Sequence, residues 1–106
     1  MPEVTLSERA CRDIDDAHNW WAENRSTEQA DRWYRGLVQR VFALEEAPQR
    51  CGLAPENSSF PYEIRQLLFG LRSKPTHRVV FTIRSDQIIV LRVRHVAQGP
   101  LRVDEI

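Results

Sequence analysis

Arginine is the residue through which this chain could do chemistry. From Arg65 to Arg102 the sequence carries Arg65, Arg72, Lys74, Arg78, Arg84, Arg92, Arg94 and Arg102 against a single acid, Asp86, and Lys74 is the chain's only lysine. A guanidinium is planar and permanently charged, and its fork matches phosphate and carboxylate oxygens in pairs, so an acidic partner or substrate is the natural ligand of such a segment. Two histidines, His77 and His95, flank the same arginines. The formal net charge is nonetheless zero, with 15 basic and 15 acidic residues. The acids lie mostly in the first half, so the second half is locally basic on a neutral molecule, and there is no global pull towards nucleic acid. Cys11 and Cys51 lie in no Cys-x-x-Cys or Cys/His cluster, which argues against a metal or redox site.

The elements that must position these arginines follow from periodicity. Phe60–Phe69, Thr76–Arg84 and Ile88–His95 are apolar runs of strand length. In the second run Val79, Phe81 and Ile83 alternate with Arg78, Val80, Thr82 and Arg84. In the third, Ile89, Leu91, Val93 and His95 alternate with Arg92 and Arg94. A three-residue turn, Ser85-Asp86-Gln87, brings Ile83 opposite Ile89, Phe81 opposite Leu91, Val79 opposite Val93 and His77 opposite His95. A two-residue turn would set Arg92 among apolar side chains, so matching of the hydrophobic faces selects the longer one. Arg78, Arg84, Arg92 and Arg94, joined by Arg65 or Glu63, are then expected on an open face, where like charges need an acidic partner.

Upstream, Pro2–Leu6 reads as a short edge strand. Ser7 caps a first helix to about Glu23, with Ala10, Ile14, Ala17, Trp20 and Trp21 at helical spacing. Ser26-Thr27-Glu28-Gln29 fits a capping box, and Ala30, Trp33, Tyr34, Leu37, Val41 and Leu44 mark a second helix that Pro48 ends near Ala47. The aromatic residues lie on the apolar stripes and are assigned to the core, and the mid-helix His18 to the surface. Residues 48–59 form a loop rich in turn residues. The fold class is therefore α+β: an N-terminal strand, then an antiparallel helix hairpin packed on one face of a mainly antiparallel four-stranded sheet, in the order β-α-α-β-β-β. The 106 residues make one domain. No apolar run is long enough to cross a bilayer and the N-terminus lacks a secretory pattern, so the expected compartment is cytoplasmic.

This order, with Tyr62-Glu63-Ile64-Arg65, His77-Arg78-Val79-Val80-Phe81, Val90-Leu91-Arg92-Val93-Arg94-His95 and Trp20-Trp21-Ala22-Glu23-Asn24 before Ala30 and Trp33-Tyr34, resembles the RelE/ParE superfamily of type II toxins. Within it the chain is more similar to the ParE-like, plasmid-stabilisation branch. The resemblance spans essentially the whole chain. It implies a toxin neutralised by a cognate antitoxin, with no cofactor or metal. ParE-like members inhibit DNA gyrase by binding it. RelE-like members are metal-free endoribonucleases that cut mRNA on the ribosome.

Metal-free RNA cleavage needs a proton acceptor, a proton donor and cations for the phosphorane charge. By resemblance Glu63, Arg78 and His95 would form that set. The RelE branch, however, has lysines where Glu63 and Arg65 stand, and a C-terminal tyrosine that is absent here. The leading expectation is a protein-binding toxin rather than an enzyme, with Arg65, Arg78, Arg92 and Arg94 as binding residues and gyrase as target. The alternatives are a ribosome-dependent nuclease, or an inactive homologue kept for antitoxin binding. Read structurally, His95 is a core histidine and Arg78 an ion-pair partner of Glu63.

Overall fold

The computed structural model describes residues 2–106. Strand β1 (Glu3–Leu6) leads into helix α1 (Glu8–Asn24) and helix α2 (Thr27–Phe42), followed by β2 (Arg65–Phe69), β3 (His77–Arg84) and β4 (Gln87–His95). The sheet order is β1-β4-β3-β2; β1 runs parallel to β4 and the other pairs are antiparallel. The α+β order read from the sequence is the one observed. Among the described residues, no helix is long and apolar enough to cross a membrane.

Both helices start where their caps stand. The Ser7 and Ser26 hydroxyls accept from the backbone N–H of Ala10 and Gln29, three residues on, at 3.0 and 3.1 Å. Helix α2 ends earlier than Ala47. It tightens into a 3₁₀ turn at Ala43–Glu45 before Pro48 begins another. Of the helical aromatics, Trp33 is wholly buried and Trp21 packs on the core, but Trp20 and Tyr34 are exposed. Adjacent residues on a helix point about 100° apart, so Trp20-Trp21 and Trp33-Tyr34 cannot both enter one stripe. His18 lies on the surface side, 3.0 Å from Asp31 across the hairpin.

The β3–β4 hairpin corrects the expected register. Its turn has two residues, Ser85 and Asp86, since Arg84 pairs with Gln87. Ser85 takes φ 53°, the positive φ that the first central residue of a type II′ hairpin turn requires. Ile83 therefore faces Ile88, and Phe81 faces Val90. The ladder then shifts between Val80 and Phe81, leaving Leu91 as an extra residue, after which Val79–Val93, Arg78–Arg94 and His77–His95 pair as expected. The bulge lets both ends of β4 keep their apolar side chains inward: Ile88 and Val90 before it, Val93 after it. Without it the short turn would bury Arg92 against the helices.

A second correction concerns the face away from the helices. It is not open. Val80 and Leu91 pack there with Ala54, Phe60, Ile64 and Leu101, making a second small core roofed by residues 54–64 and by the C-terminal segment. Strand β2 starts at Arg65, not Phe60. The stretch before it leaves the ladder, with the Glu63 carbonyl accepting from the Thr82 hydroxyl at 2.8 Å and the Ile64 N–H donating to Asn57 Oδ1 at 2.8 Å.

Candidate functional site

Four of the sheet's five arginines, Arg65, Arg78, Arg92 and Arg94, find an acceptor on a segment outside their own strand. Arg78 stands in the middle of the second face and is buried. Its guanidinium donates to both carboxylate oxygens of Glu56, at 2.8 and 2.6 Å, and to Gln66 Oε1 at 3.1 Å. Glu56 Oε2 also accepts from the backbone N–H of Leu101 at 2.7 Å. The Arg78 hydrogen bonds outweigh the cost of burial and lower the Glu56 pKa to about 2. One buried carboxylate thus ties the 48–59 loop, β3 and the C-terminal segment together.

Arg92 forms a bidentate pair with Asp13 of α1, Nε to Oδ2 at 2.7 Å and Nη2 to Oδ1 at 2.9 Å. Asp13 Oδ2 also accepts from the Val93 N–H at 2.9 Å. Strand β1 pairs with β4 only as far as Val90. Beyond it helix α1 covers the strand's edge, with the Ser7 hydroxyl donating to the carbonyl of the bulged Leu91 and Asp13 accepting from Val93. Arg94, also buried, donates through Nη1 to Glu105 Oε2 at 3.3 Å.

The residues that the sequence groups as an acid, arginine and histidine set are held apart. Residues directly opposite in the ladder share a face, so Arg78 lies with Arg94 and the adjacent His95 lies with His77 on the helix side. Glu63 is exposed and bonds Arg65, not Arg78, with 3.1 Å between Nε and Oε1. Arg65 pairs with Phe81 and so belongs to the helix face, where it donates to the Cys51 carbonyl at 2.6 Å. It therefore does not join Arg78, Arg92 and Arg94. Arg84 lies over the Tyr62 ring, 5.1 Å from its centroid. The partners that matter, Asp13, Glu56 and Glu105, were not singled out in the sequence, because acids in a helix, a loop and a tail carry no periodic signal.

The helix side holds a groove of about 600 Å³ between the second half of α1 and the sheet's end, lined by Trp20, Trp21, Arg25, Thr76, His77 and His95 among others. Trp20 and Trp21 meet edge to face at 5.3 Å, and Arg25 lies over the Trp20 ring at 5.7 Å. His77 is the buried histidine, wedged between Trp33 at 4.9 Å and His95 at 5.2 Å. Burial, and then the neighbouring His95, lower its pKa to about 4. His95 is exposed; its Nδ1 accepts from the Ala97 N–H at 3.0 Å, which leaves the neutral ring's proton on Nε2. The core histidine anticipated at position 95 is thus at position 77. Among the described residues, no group of three or more His, Cys, Asp and Glu side chains gathers as a metal site.

Comparison with known proteins bears on this geometry. No curated protein sequence matches the chain. Among solved structures, one described as a chromosomal ParDE TA system from P. aeruginosa matches with a TM-score of 0.72 at 20% identity, over 91% of this chain and 97% of that one. It shares the fold. The family model of the ParE toxin of the type II toxin-antitoxin system parDE matches residues 4–100, nearly the whole chain. The protein is a member of the ParE toxin family, the toxin component of a type II toxin-antitoxin module.

Proposed function

We propose that the free toxin acts by gripping a protein, with DNA gyrase as its target, and that a cognate antitoxin blocks it. The observation that carries this reading is the separation of Glu63, Arg78 and His95. A general acid, a general base and a cation must converge on one phosphate to cleave RNA. Here the arginine is committed to Glu56 on one face, the histidine lines a groove on the other, and the glutamate holds Arg65 at the surface. The zero net charge points the same way, since a ribosome-directed nuclease relies on many phosphate contacts. Gyrase as target and a cytoplasmic location rest on the likeness to the ParE branch. A supercoiling assay with purified gyrase and purified toxin tests the proposal. Supercoiling is expected to fall with toxin dose, and full activity at large toxin excess would reject gyrase as target.

A further inference from the structure

We propose that Arg9, Arg92 and Arg94 form a phosphate-binding site that the chain's own turn at Val103–Glu105 occupies, and that displacing this turn opens it. The inference goes beyond the gyrase reading and does not depend on it.

Glu105 is where the three arginines meet. Its carbonyl accepts from Arg9 Nη1 at 2.8 Å and from Arg92 Nη1 at 2.5 Å, and its Oε2 accepts from Arg94. The other carboxylate oxygen, Oε1, accepts from the backbone N–H of Arg102 at 2.8 Å, which closes the turn on itself. One residue therefore offers acceptors to guanidiniums from α1 and β4 at once. Two of these arginines differ sharply in how well they are served. Arg92 is oriented by its bidentate bond to Asp13, which uses no atom of the turn. Arg94 is buried, yet its bond to Glu105 is long, 3.3 Å, and its Nε finds no partner among the described residues. A buried guanidinium with an unused donor is costly, and a better acceptor would be favoured there. Arg78 in the same face is different: Glu56 and Gln66 satisfy it within the second core, and it is a permanent part of the fold.

The class of ligand follows from the donors. Three guanidiniums aimed at one place need three acceptor positions. A phosphate monoester or free phosphate presents three or more oxygens with two negative charges, whereas a carboxylate presents two oxygens and a phosphodiester two free ones. The turn supplies its acceptors only by combining a carbonyl with a carboxylate. The Glu105 carboxyl is held below its ordinary pKa, first by the Arg102 N–H and then by Arg94 and Arg102, so it is the charged form that fills the site.

The test is titration of inorganic phosphate at constant ionic strength, followed through the arginine Nε–H resonances of the full chain. Glu105→Ala is expected to bind phosphate at least tenfold more tightly than the unaltered chain, with the Arg94 signal moving on saturation. Glu105→Gln, which keeps the turn's neutral hydrogen bonds, is expected to change in the same direction, so the test survives if the alanine variant is poorly folded. Asp104→Ala, which removes an exposed acid next door, should bind as the unaltered chain does. Adding Arg94→Gln to Glu105→Ala should abolish the gain. Adenosine monophosphate binding more tightly than free phosphate would assign the source to a nucleotide; equal affinity would assign it to the phosphate alone. Dimethyl phosphate should bind more weakly than either. No gain in either Glu105 variant, or a gain that survives Arg94→Gln, overturns the proposal.

Discussion

At the scale of single residues, the molecule is governed by carboxylates that the arginines recruit. Glu56 is the extreme case, buried against Arg78 and Leu101 N–H. Removing one partner of such a pair leaves the other charge uncompensated, at about 3–5 kcal/mol. Glu56→Ala is therefore expected to lower the unfolding free energy by that amount, read from denaturant titration, and a change below 1 kcal/mol would contradict the arrangement. The pH dependence has a defined sign. The folded Glu56 pKa, about 2, lies below the ordinary 4.5, so the unfolded chain takes up the proton first. Its contribution of about 3 kcal/mol is complete above pH 4.5 and disappears as pH falls towards 2. His77 acts higher. Its folded pKa is about 4 against the ordinary 6.5, so the unfolded chain again binds the proton first. Stability falls by about 3 kcal/mol between pH 6.5 and 4. Denaturation midpoints measured across pH should decline in two limbs, and His77→Phe should flatten the upper one. The concentration of arginine in the sheet was legible in the sequence. The partners of these arginines were not, because a pairing across 79 residues, as between Asp13 and Arg92, has no local signature.

At the scale of elements, the sequence spoke most clearly where local chemistry decides. The serine caps fixed both helix starts, and alternation fixed the inward face of β3. It misled where two devices cancel. The short Ser85-Asp86 turn and the Leu91 bulge each move the register by one residue, and only their sum shows in the matching of hydrophobic faces. His77–His95 and Val79–Val93 therefore pair through the two-residue turn plus bulge as they would through a three-residue turn. The turn carries its own test. A non-glycine residue at positive φ costs about 1 kcal/mol, so Ser85→Gly is expected to stabilise the hairpin by up to about that amount and Ser85→Val to destabilise it. Thermal melting reads both. Asp13 tests the edge of β4: Asp13→Ala strips Arg92 of its carboxylate and Val93 of its acceptor, for an expected loss of about 2–4 kcal/mol. Hydrogen exchange should show the Val93 amide opening first.

At the scale of the whole molecule, the sheet has two cores rather than one. The helix hairpin covers one face, and the 54–64 segment with Leu101 covers the other. The second cover was not legible because its apolar residues, Ala54, Phe60, Ile64 and Leu101, are scattered through loops without period. That cover turns the expected open surface at Arg78 and Arg94 into an internally paired one, which agrees with the proposal of a protein-binding toxin. The groove at Trp20, Trp21 and His95 lies on the other, helix-covered side. The most direct test divides one preparation of toxin between two reactions: supercoiling by purified gyrase, and primer extension on ribosome-bound transcripts, each with the unaltered chain and with Glu63→Ala. The expected result is inhibition of supercoiling by both proteins and intact transcripts throughout. Uninhibited gyrase, with transcripts cut by the unaltered chain and spared by Glu63→Ala, would contradict it.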